Sequence, residues 1–414
     1  MRQLNPISNS FSPNTERDDV LLAYKISYQP QKWKDGKEIK ELEEEFKRYF
    51  GINLAISFNS GRSALIAILN ALKIGNGDEV LLQAFTCAVA INPILKLGAK
   101  PVFVDIDETL NMLPENLEKK IRKKSKAVMI QHTFGNPAKI DEIKEICEKH
   151  NLFLIEDCAH SLGAKYKGKL CGTFGDAAFF SFGRDKIISS VYGGMAVSNS
   201  IEIGEKIKKF QEKLSFPKRS WILRQINHPV IFTRALPVYS FFNIGKAYLY
   251  ICQRLRVISP SVYPSEKLGQ TPEYFPKKIP NALAILALNQ LKKLEKFNAR
   301  RKEIAKIYDK QFYEIKVEKN KDSEQIYMRY PVLVKNAKEI RAKLKKQNIF
   351  LDDGWCDSVM VPKGVDLEKM NYKLGSCPRA EEVAQKIVNL PTGIRIKNKE
   401  VNRVLKLVSK LIKT

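Results

Sequence analysis

Paired cysteines and long apolar stretches are both missing from this 414-residue sequence. Its seven cysteines are scattered without a Cys-x-x-Cys pair, which argues against a zinc ribbon, a redox motif or a secreted disulfide framework, and no metal site is predicted. No segment approaches the roughly 20 apolar residues of a membrane span, and the first residues lack the apolar core of a signal peptide. We therefore expect a cytoplasmic protein with reduced thiols.

Acidic side chains are also scarce, because 45 Asp and Glu stand against 71 Lys and Arg and give a formal net charge of +26. This balance favours anionic partners such as nucleic acid, acidic lipid or phosphorylated small molecules. Lysine is spread along the whole chain, however, and no zinc-finger, helix-turn-helix or RNP-type pattern is present. We predict no nucleic-acid partner, and acidic lipid and phosphorylated small molecules remain as candidate partners.

Short apolar strands alternate with amphipathic helices from residue 54 onward, for example LAISF before SALIAILNALKI. This alternation predicts an α/β fold with a mostly parallel central sheet flanked by helices. The chain is too long for a single typical core. We expect a large α/β domain over residues 1–213, and a bridging helix followed by a smaller C-terminal α+β domain over residues 271–414.

Between these parts, residues 214–270 break the pattern. Residues 213–265 carry eight basic side chains and no acidic one, interleaved with aromatic residues and prolines. This segment is predicted to be an insertion that forms an ordered lid or dimer contact. The alternative is contact with an anionic membrane surface through residues 219–256.

Asp157 and Lys186 are the most informative pair of residues. Residues 152–155 are predicted to form a buried parallel strand that delivers Asp157 to the edge where open α/β sheets bind ligands. A second predicted strand, residues 177–182, ends close to Lys186. Pyridoxal phosphate (PLP) requires such a pair, since its aldehyde condenses with a lysine and a carboxylate keeps its ring nitrogen protonated. The alternatives are a surface lysine and an aspartate that caps the next helix.

Three further sets of residues fit the same cofactor. His160 is positioned to lie beside the ring, although a merely hydrogen-bonded structural histidine is the alternative. The turn with Gly61, Arg62 and Ser63 begins a helix whose N–H groups suit a phosphate, and Ser181 offers another hydroxyl. Taken alone, that turn is equally compatible with an ordinary helix N-cap.

In their order along the chain, these motifs resemble the DegT/DnrJ/StrS family of PLP-dependent sugar aminotransferases. NSGRSAL is similar to the family's SGTxAL, IEDCAHSLGAKYKGKLCGTFGD to its IEDxAQxxGAxYxGxxxGxxGD, and SFGRDK to its SFxxxK. NQLKKLEKFNARR and CPRAEEVAQKIVNLPT match two later motifs, so the resemblance covers most of the chain. It implies the PLP-dependent transferase fold of type I and a homodimer.

The resemblance also implies residue roles. Lys186 is the Schiff-base residue, Asp157 the partner of the ring nitrogen and His160 the residue at the usual Gln/His position, while Ser181, Arg62 and Ser63 hold phosphate. Three departures stand out. Cys87 replaces the usual ring-stacking aromatic, so that stacking is weaker or comes from elsewhere, with Phe85 as a candidate; Arg62 replaces threonine; and the family's YNxR becomes residues 275–278. Arg184 and Lys278 are candidate substrate contacts.

The predicted function is transfer of an amino group from an amino acid, with glutamate the expected donor, to a keto-sugar, expected to be nucleotide-linked, in polysaccharide biosynthesis. Two alternatives stay open. One is a PLP-binding, membrane-associated scaffold or regulator with little turnover. The other is a PLP-dependent sugar dehydratase, although some relatives that dehydrate sugars have histidine where this chain has Lys186, and the lysine favours transamination.

Overall fold

The computed structural model describes residues 5–413 of the chain. At its centre lies a seven-stranded sheet with the strand order β2-β11-β10-β7-β6-β3-β5. Within it, β11 runs antiparallel to both of its neighbours, and the other neighbouring strands pair in parallel. The bounds of the strands in chain order are β1 (Ile7–Ser8), β2 (Leu54–Phe58), β3 (Glu79–Gln83), β4 (Thr86–Cys87), β5 (Lys100–Val104), β6 (Ser125–Gln131), β7 (Phe153–Asp157), β8 (Lys165–Tyr166), β9 (Lys169–Leu170), β10 (Ala177–Ser181), β11 (Gly194–Ser198), β12 (Ser323–Glu324), β13 (Tyr330–Leu333), β14 (Ile349–Phe350), β15 (Met360–Val361) and β16 (Ile387–Leu390).

Helices cover the sheet and build the remainder of the chain. Their bounds are α1 (Arg17–Ser27), α2 (Lys37–Phe50), α3 (Gly61–Ala71), α4 (Ala88–Lys96), α5 (Pro114–Lys120), α6 (Ile140–Lys149), α7 (Ile201–Glu212), α8 (Arg219–Ala235), α9 (Ile244–Arg254), α10 (Asn281–Leu291), α11 (Leu294–Phe312), α12 (Ala337–Lys346), α13 (Pro378–Lys386) and α14 (Asn398–Ile412). Short 3₁₀ turns lie between several of them. The predicted α/β class with a mostly parallel sheet is confirmed.

Two elements differ from the sequence-based expectation. The predicted bridging helix is two helices, α10 and α11, which meet at Lys292 and Lys293. Residues 214–270 contain two regular helices, α8 and α9, which the aromatic and proline content of the segment hid. Pro229 lies inside α8, where it removes one backbone hydrogen bond without ending the helix.

Three hydrophobic clusters hold the described chain together. The largest lies around the central sheet, and Leu294 at the start of α11 belongs to it. A second joins β13, β16, α12 and α14 to the later turns of α11, including Tyr308. The third lies within the insertion and packs Phe232 of α8 against Leu249 of α9. The α11 helix therefore links the sheet core to the C-terminal core.

Among residues 5–413, no helix combines the length and the apolar composition that crossing a bilayer requires.

Candidate active site

The carboxyl ends of β7 and β10 bring the predicted acid and lysine together. The two strands are parallel neighbours with Phe179 opposite Asp157, so that both strands end at the same edge of the sheet. Asp157 and Lys186 line the same small cavity of about 50 Å³, which we call the inner cavity. The ammonium nitrogen Nζ of Lys186 lies 3.0 Å from Nε2 of His160. Three predicted residues thus line the same small cavity.

Burial sets the protonation of this group. Removal from water raises the pKa of Asp157 to about 6, against the lowering influence of a backbone N–H bond from Ala159 and the charge of Lys186. Burial also lowers the pKa of His160 well below its ordinary value, and the nearby charges of Lys186 and Arg329 act in the same direction. The imidazole is therefore neutral at physiological pH. A cation close to Asp157 would stabilise the ionised form of its buried carboxylate.

The N-terminus of α3 forms the opposite wall. Ser60 caps the helix by accepting the backbone N–H of Ser63 at 3.1 Å. Gly61 lies so close to β10 that an added Cβ would come within 3.1 Å of the Ser181 Cβ. First-turn N–H groups have no partner inside the helix and carry its positive dipole end. Together with the Ser181 hydroxyl they make a site for an anion such as a phosphate.

The predicted residues that line the inner cavity are Gly61, Arg62, Cys87, Asp157, His160, Ser181 and Lys186. Two of the other predicted cofactor residues point elsewhere. The hydroxyl of Ser63 donates to Oδ1 of Asn59 at 2.6 Å, and Phe85 is fully buried with its ring 5.5 Å from that of Trp355. Both support the cavity wall rather than facing the cavity.

The structure separates the two candidate substrate contacts. Arg184 lines a second cavity of about 370 Å³, the outer cavity, which shares Arg62, Cys87, Ser181 and Lys186 with the inner one. Lys278 is absent from the lining of both, and its Nζ lies 5.8 Å above the ring of Phe216. Arg184 is thus adjacent to the inner cavity, and Lys278 is not.

Arg62 does not extend toward the anion site. Its guanidinium pairs with the fully buried carboxylate of Glu266 at 2.5 Å and donates to the Ser261 carbonyl at 3.0 Å. Burial lowers its pKa, but the charge of Glu266, together with Tyr192, Cys87 and the hydrogen bond to Glu266, outweighs burial, and the net pKa is raised. The cation that replaces the expected threonine therefore ties the start of α3 to the end of the insertion.

The insertion is fixed to the active-site walls through three successive carbonyls. Arg184 donates to the carbonyl of Ser259, the Tyr192 hydroxyl donates to that of Pro260 at 2.5 Å, and Arg62 donates to that of Ser261. We call residues 259–261 the strap. Insertion residues that line the outer cavity include Phe232, Gln253 and the strap residues Pro260 and Ser261.

Trp355 is a cavity residue that the sequence did not reveal. It lines both cavities and comes from the C-terminal part of the chain. The parallel pairing of β15 with β4, in which Val361 lies opposite Cys87, brings its segment to the site. Each of these strands is only two residues long, so the sequence alone does not predict their pairing or the position of Trp355.

Glu156, next to Asp157, has a structural role. Its carboxylate accepts N–H bonds from Gly172, Phe174 and Gly175 and lies 3.1 Å from Nε2 of His132. The other ring nitrogen of His132 accepts the N–H of Ala138. This buried network fixes the loop between β7 and β10.

The residues of the inner cavity fit PLP. A buried carboxylate, an amine and a helix N-terminus line one cavity, and these are the groups that a ring nitrogen, an aldehyde and a phosphate require. The raised pKa of Asp157 supports this fit, because a protonated ring nitrogen would relieve the cost of burying the carboxylate.

Comparison with known proteins identifies relatives of the chain. The sequence pattern of the DegT/DnrJ/EryC1/StrS aminotransferase family matches residues 15–220 and 262–409. The uncharacterized protein MJ1066 of Methanocaldococcus jannaschii is 34% identical over 388 residues, 91% of this chain and 90% of that protein. GDP-perosamine synthase of Escherichia coli O157:H7 is 31% identical over 372 residues, 88% of each. The PLP form of the putative sugar aminotransferase Spr1654 of Streptococcus pneumoniae has a TM-score of 0.74 at 21% identity, covering 99% of each chain.

The chain therefore belongs to the DegT/DnrJ/EryC1/StrS aminotransferase family. It is a PLP-dependent aminotransferase, and the predicted family, enzyme class and cofactor are confirmed. The unmatched residues 221–261 lie inside the predicted insertion, which makes the insertion a feature of this chain beyond the family pattern.

Proposed function

We propose that the protein is a sugar aminotransferase that moves an amino group from glutamate to the keto group of a nucleotide-linked sugar. The observation that carries the proposal is the shared lining of one cavity by Lys186, Asp157 and the N-terminus of α3. A relative that matches over 88% of both chains bears the name GDP-perosamine synthase, which supports a sugar acceptor. Amino donor and acceptor are both small molecules.

The residues of the inner cavity have two proposed roles, which are binding of the cofactor and proton transfer. PLP, when bound, would supply an electron sink that lowers the free-energy cost of removing a proton from the substrate carbon. Lys186 would hold the cofactor through Nζ and, when free, would carry the proton at that atom. Asp157 would accept a hydrogen bond from the ring nitrogen. His160 would lie beside the ring as a neutral imidazole, and Gly61, Arg62 and Ser181 would hold the phosphate.

Arg184 is the proposed contact for an anionic substrate group. Its side chain is buried, it lines the outer cavity, and its Nε has no hydrogen-bond partner among the described residues. An unpaired buried N–H is costly, so a carboxylate or phosphate oxygen that accepts from it would be bound favourably. Both the amino donor and a nucleotide-linked acceptor carry such oxygens.

We also propose a division into residues 1–213, 214–270 and 271–414, with two copies of the chain forming a homodimer in the cytoplasm. The inner side of the insertion walls the outer cavity, which supports its role as an ordered lid. The outer side exposes 85% of Phe242, 52% of Ile251 and 69% of Leu255. Together with the absence of acid from residues 213–265, this supports peripheral contact with an anionic membrane.

Activity is tested with purified protein, glutamate and a panel of keto-sugars linked to GDP, dTDP or UDP. Formation of 2-oxoglutarate together with an aminated sugar is expected for at least one acceptor, and Lys186→Ala is the matched inactive control. If glutamate and each of the other amino acids leave the absorbance of the bound cofactor unchanged, the transaminase proposal fails and a scaffold role is favoured.

Membrane contact is tested by flotation with anionic and neutral vesicles. A variant with Phe242, Ile251 and Leu255 all changed to Ser removes the exposed apolar groups without touching the cavity wall. Wild-type protein is expected to float with anionic vesicles, whereas the variant is expected to remain in the bottom fraction. Equal recovery of both proteins with both kinds of vesicle would refute membrane contact and leave the lid role.

A further inference from the structure

The inner cavity offers little aromatic surface on its α4 side. Cys87, which precedes α4, is half-buried and lines both cavities, but its side chain is too small to cover a ring face. Phe85 is fully buried and lines neither cavity. A flat heteroaromatic ring that binds between Asp157 and Lys186 gains affinity from a stacked partner. That partner must come from another part of the chain, and besides His160 the lining contains two aromatic side chains, Phe179 of β10 and Trp355, of which Trp355 also lines the outer cavity.

Trp355 meets this requirement. It lines the inner cavity together with Cys87, Asp157 and Lys186, and it continues into the lining of the outer cavity. Its ring is 4.8 Å from that of His160 at an angle of 67°. The indole thus stands at the boundary between the two cavities.

The segment that carries Trp355 is held firmly. The backbone N–H of Trp355 donates to Oδ1 of Asp353 at 3.0 Å, and its carbonyl accepts from the amide of Asn389 at 3.2 Å. The other carboxylate oxygen of Asp353 lies 2.9 Å from Nε of Arg329. The guanidinium of Arg329 lies 5.9 Å from the centre of the Trp355 ring. An anchored ring loses little freedom when a ligand stacks on it, which favours binding.

We propose that Trp355 supplies the aromatic surface against the cofactor ring that position 87 does not supply. Because Trp355 belongs to the C-terminal part of the chain, cofactor binding then also fixes that part against the central sheet. This inference rests on the proposed cofactor role of the inner cavity and adds a positioning residue to it.

The test measures PLP binding to the cofactor-free full chain by visible absorbance and circular dichroism. Trp355→Ala is expected to weaken binding about tenfold, as for other aromatic stacking contacts, and to alter the circular dichroism of the bound cofactor. Trp355→Leu keeps most of the volume and replaces the alanine variant if that variant does not fold. Trp355→Phe retains a ring and should bind within about threefold of wild type, since part of the stacking remains.

Two controls complete the design. Trp33→Ala makes the same truncation beside Ile26, outside both cavities, and should leave the affinity unchanged. Adding Cys87→Phe to Trp355→Leu should recover part of the lost affinity, because a ring returns at the neighbouring position. Wild-type affinity in Trp355→Leu would overturn this inference alone, whereas failure of the wild-type chain to bind PLP would overturn the proposed function.

Discussion

The inner cavity and the strap contribute to one site in different ways. The inner cavity is built from the ends of β2, β7 and β10, within the residues that match the family. The strap, residues 259–261, belongs to the unmatched residues 221–261, yet side-chain donors from Arg62, Arg184 and Tyr192 hold it. The comparison teaches that the inner cavity lies within the family pattern, while part of the wall of the outer cavity comes from residues that this pattern does not match.

The largest effect is expected at Lys186, on the inner-cavity side. Lys186→Ala should lower transamination at least about 10³-fold, because it removes the amine that is proposed to hold the cofactor and to carry the proton. Lys278→Ala, a lysine outside both cavities, is the matched control and should retain activity. The measurement is formation of 2-oxoglutarate from glutamate. Comparable losses of activity in both variants would contradict the claim that Lys186 acts through its place in the inner cavity.

Glu266→Gln breaks the anchor on the strap side. It leaves the partly buried cation of Arg62 without its carboxylate, which should lower the free energy of unfolding by about 3 kcal/mol. Glu202→Gln breaks an exposed pair with Lys206 and should cost less than about 0.5 kcal/mol. Denaturant unfolding measures both, and hydrogen exchange should rise in residues 259–266 only in the first variant. Equal stabilities would mean that the anchor contributes nothing.

Asp157→Asn should raise the stability of the cofactor-free chain and weaken PLP binding in the inner cavity. The folded pKa of about 6 lies above the ordinary value of 3.8, so the folded chain binds the proton more tightly. The stability of the cofactor-free chain therefore falls as pH rises from about 4 to about 6. The variant lacks this fall and should exceed wild type at pH 7 by up to about 3 kcal/mol, while binding PLP more weakly. Parallel stability curves for both proteins between pH 4 and pH 7 would contradict the burial argument.

The smallest effect is expected on the outer side of the insertion. Phe242 is 85% exposed, so Phe242→Ala should change stability by less than about 0.5 kcal/mol. Phe232→Ala removes a ring from the cluster inside the insertion and from the outer cavity wall, and should cost about 3 kcal/mol. Thermal unfolding compares the two. A large loss in the Phe242 variant would show that its ring is covered in solution, as in a dimer.

Sequence reasoning reached the inner cavity because its chemistry is local. Asp157 ends a strand, Ser60 caps the helix that follows another, and Lys186 follows a third, and each of these features can be identified within a few residues. The opposite holds for Glu266, Trp355 and the strap. Arg62 and Glu266 are 204 residues apart, and Trp355 arrives through a two-residue strand pair. Such contacts depend on tertiary packing, which no local pattern specifies.

The central claim is that Lys186 holds the cofactor in the inner cavity. Borohydride reduction of the PLP-loaded protein fixes the cofactor to the amine that holds it, and peptide mass spectrometry then locates the label. We predict the label on Lys186 in the wild-type chain and no label at this site in the Lys186→Ala variant. A label on any other lysine of the wild-type chain, with position 186 unmodified, would contradict the account.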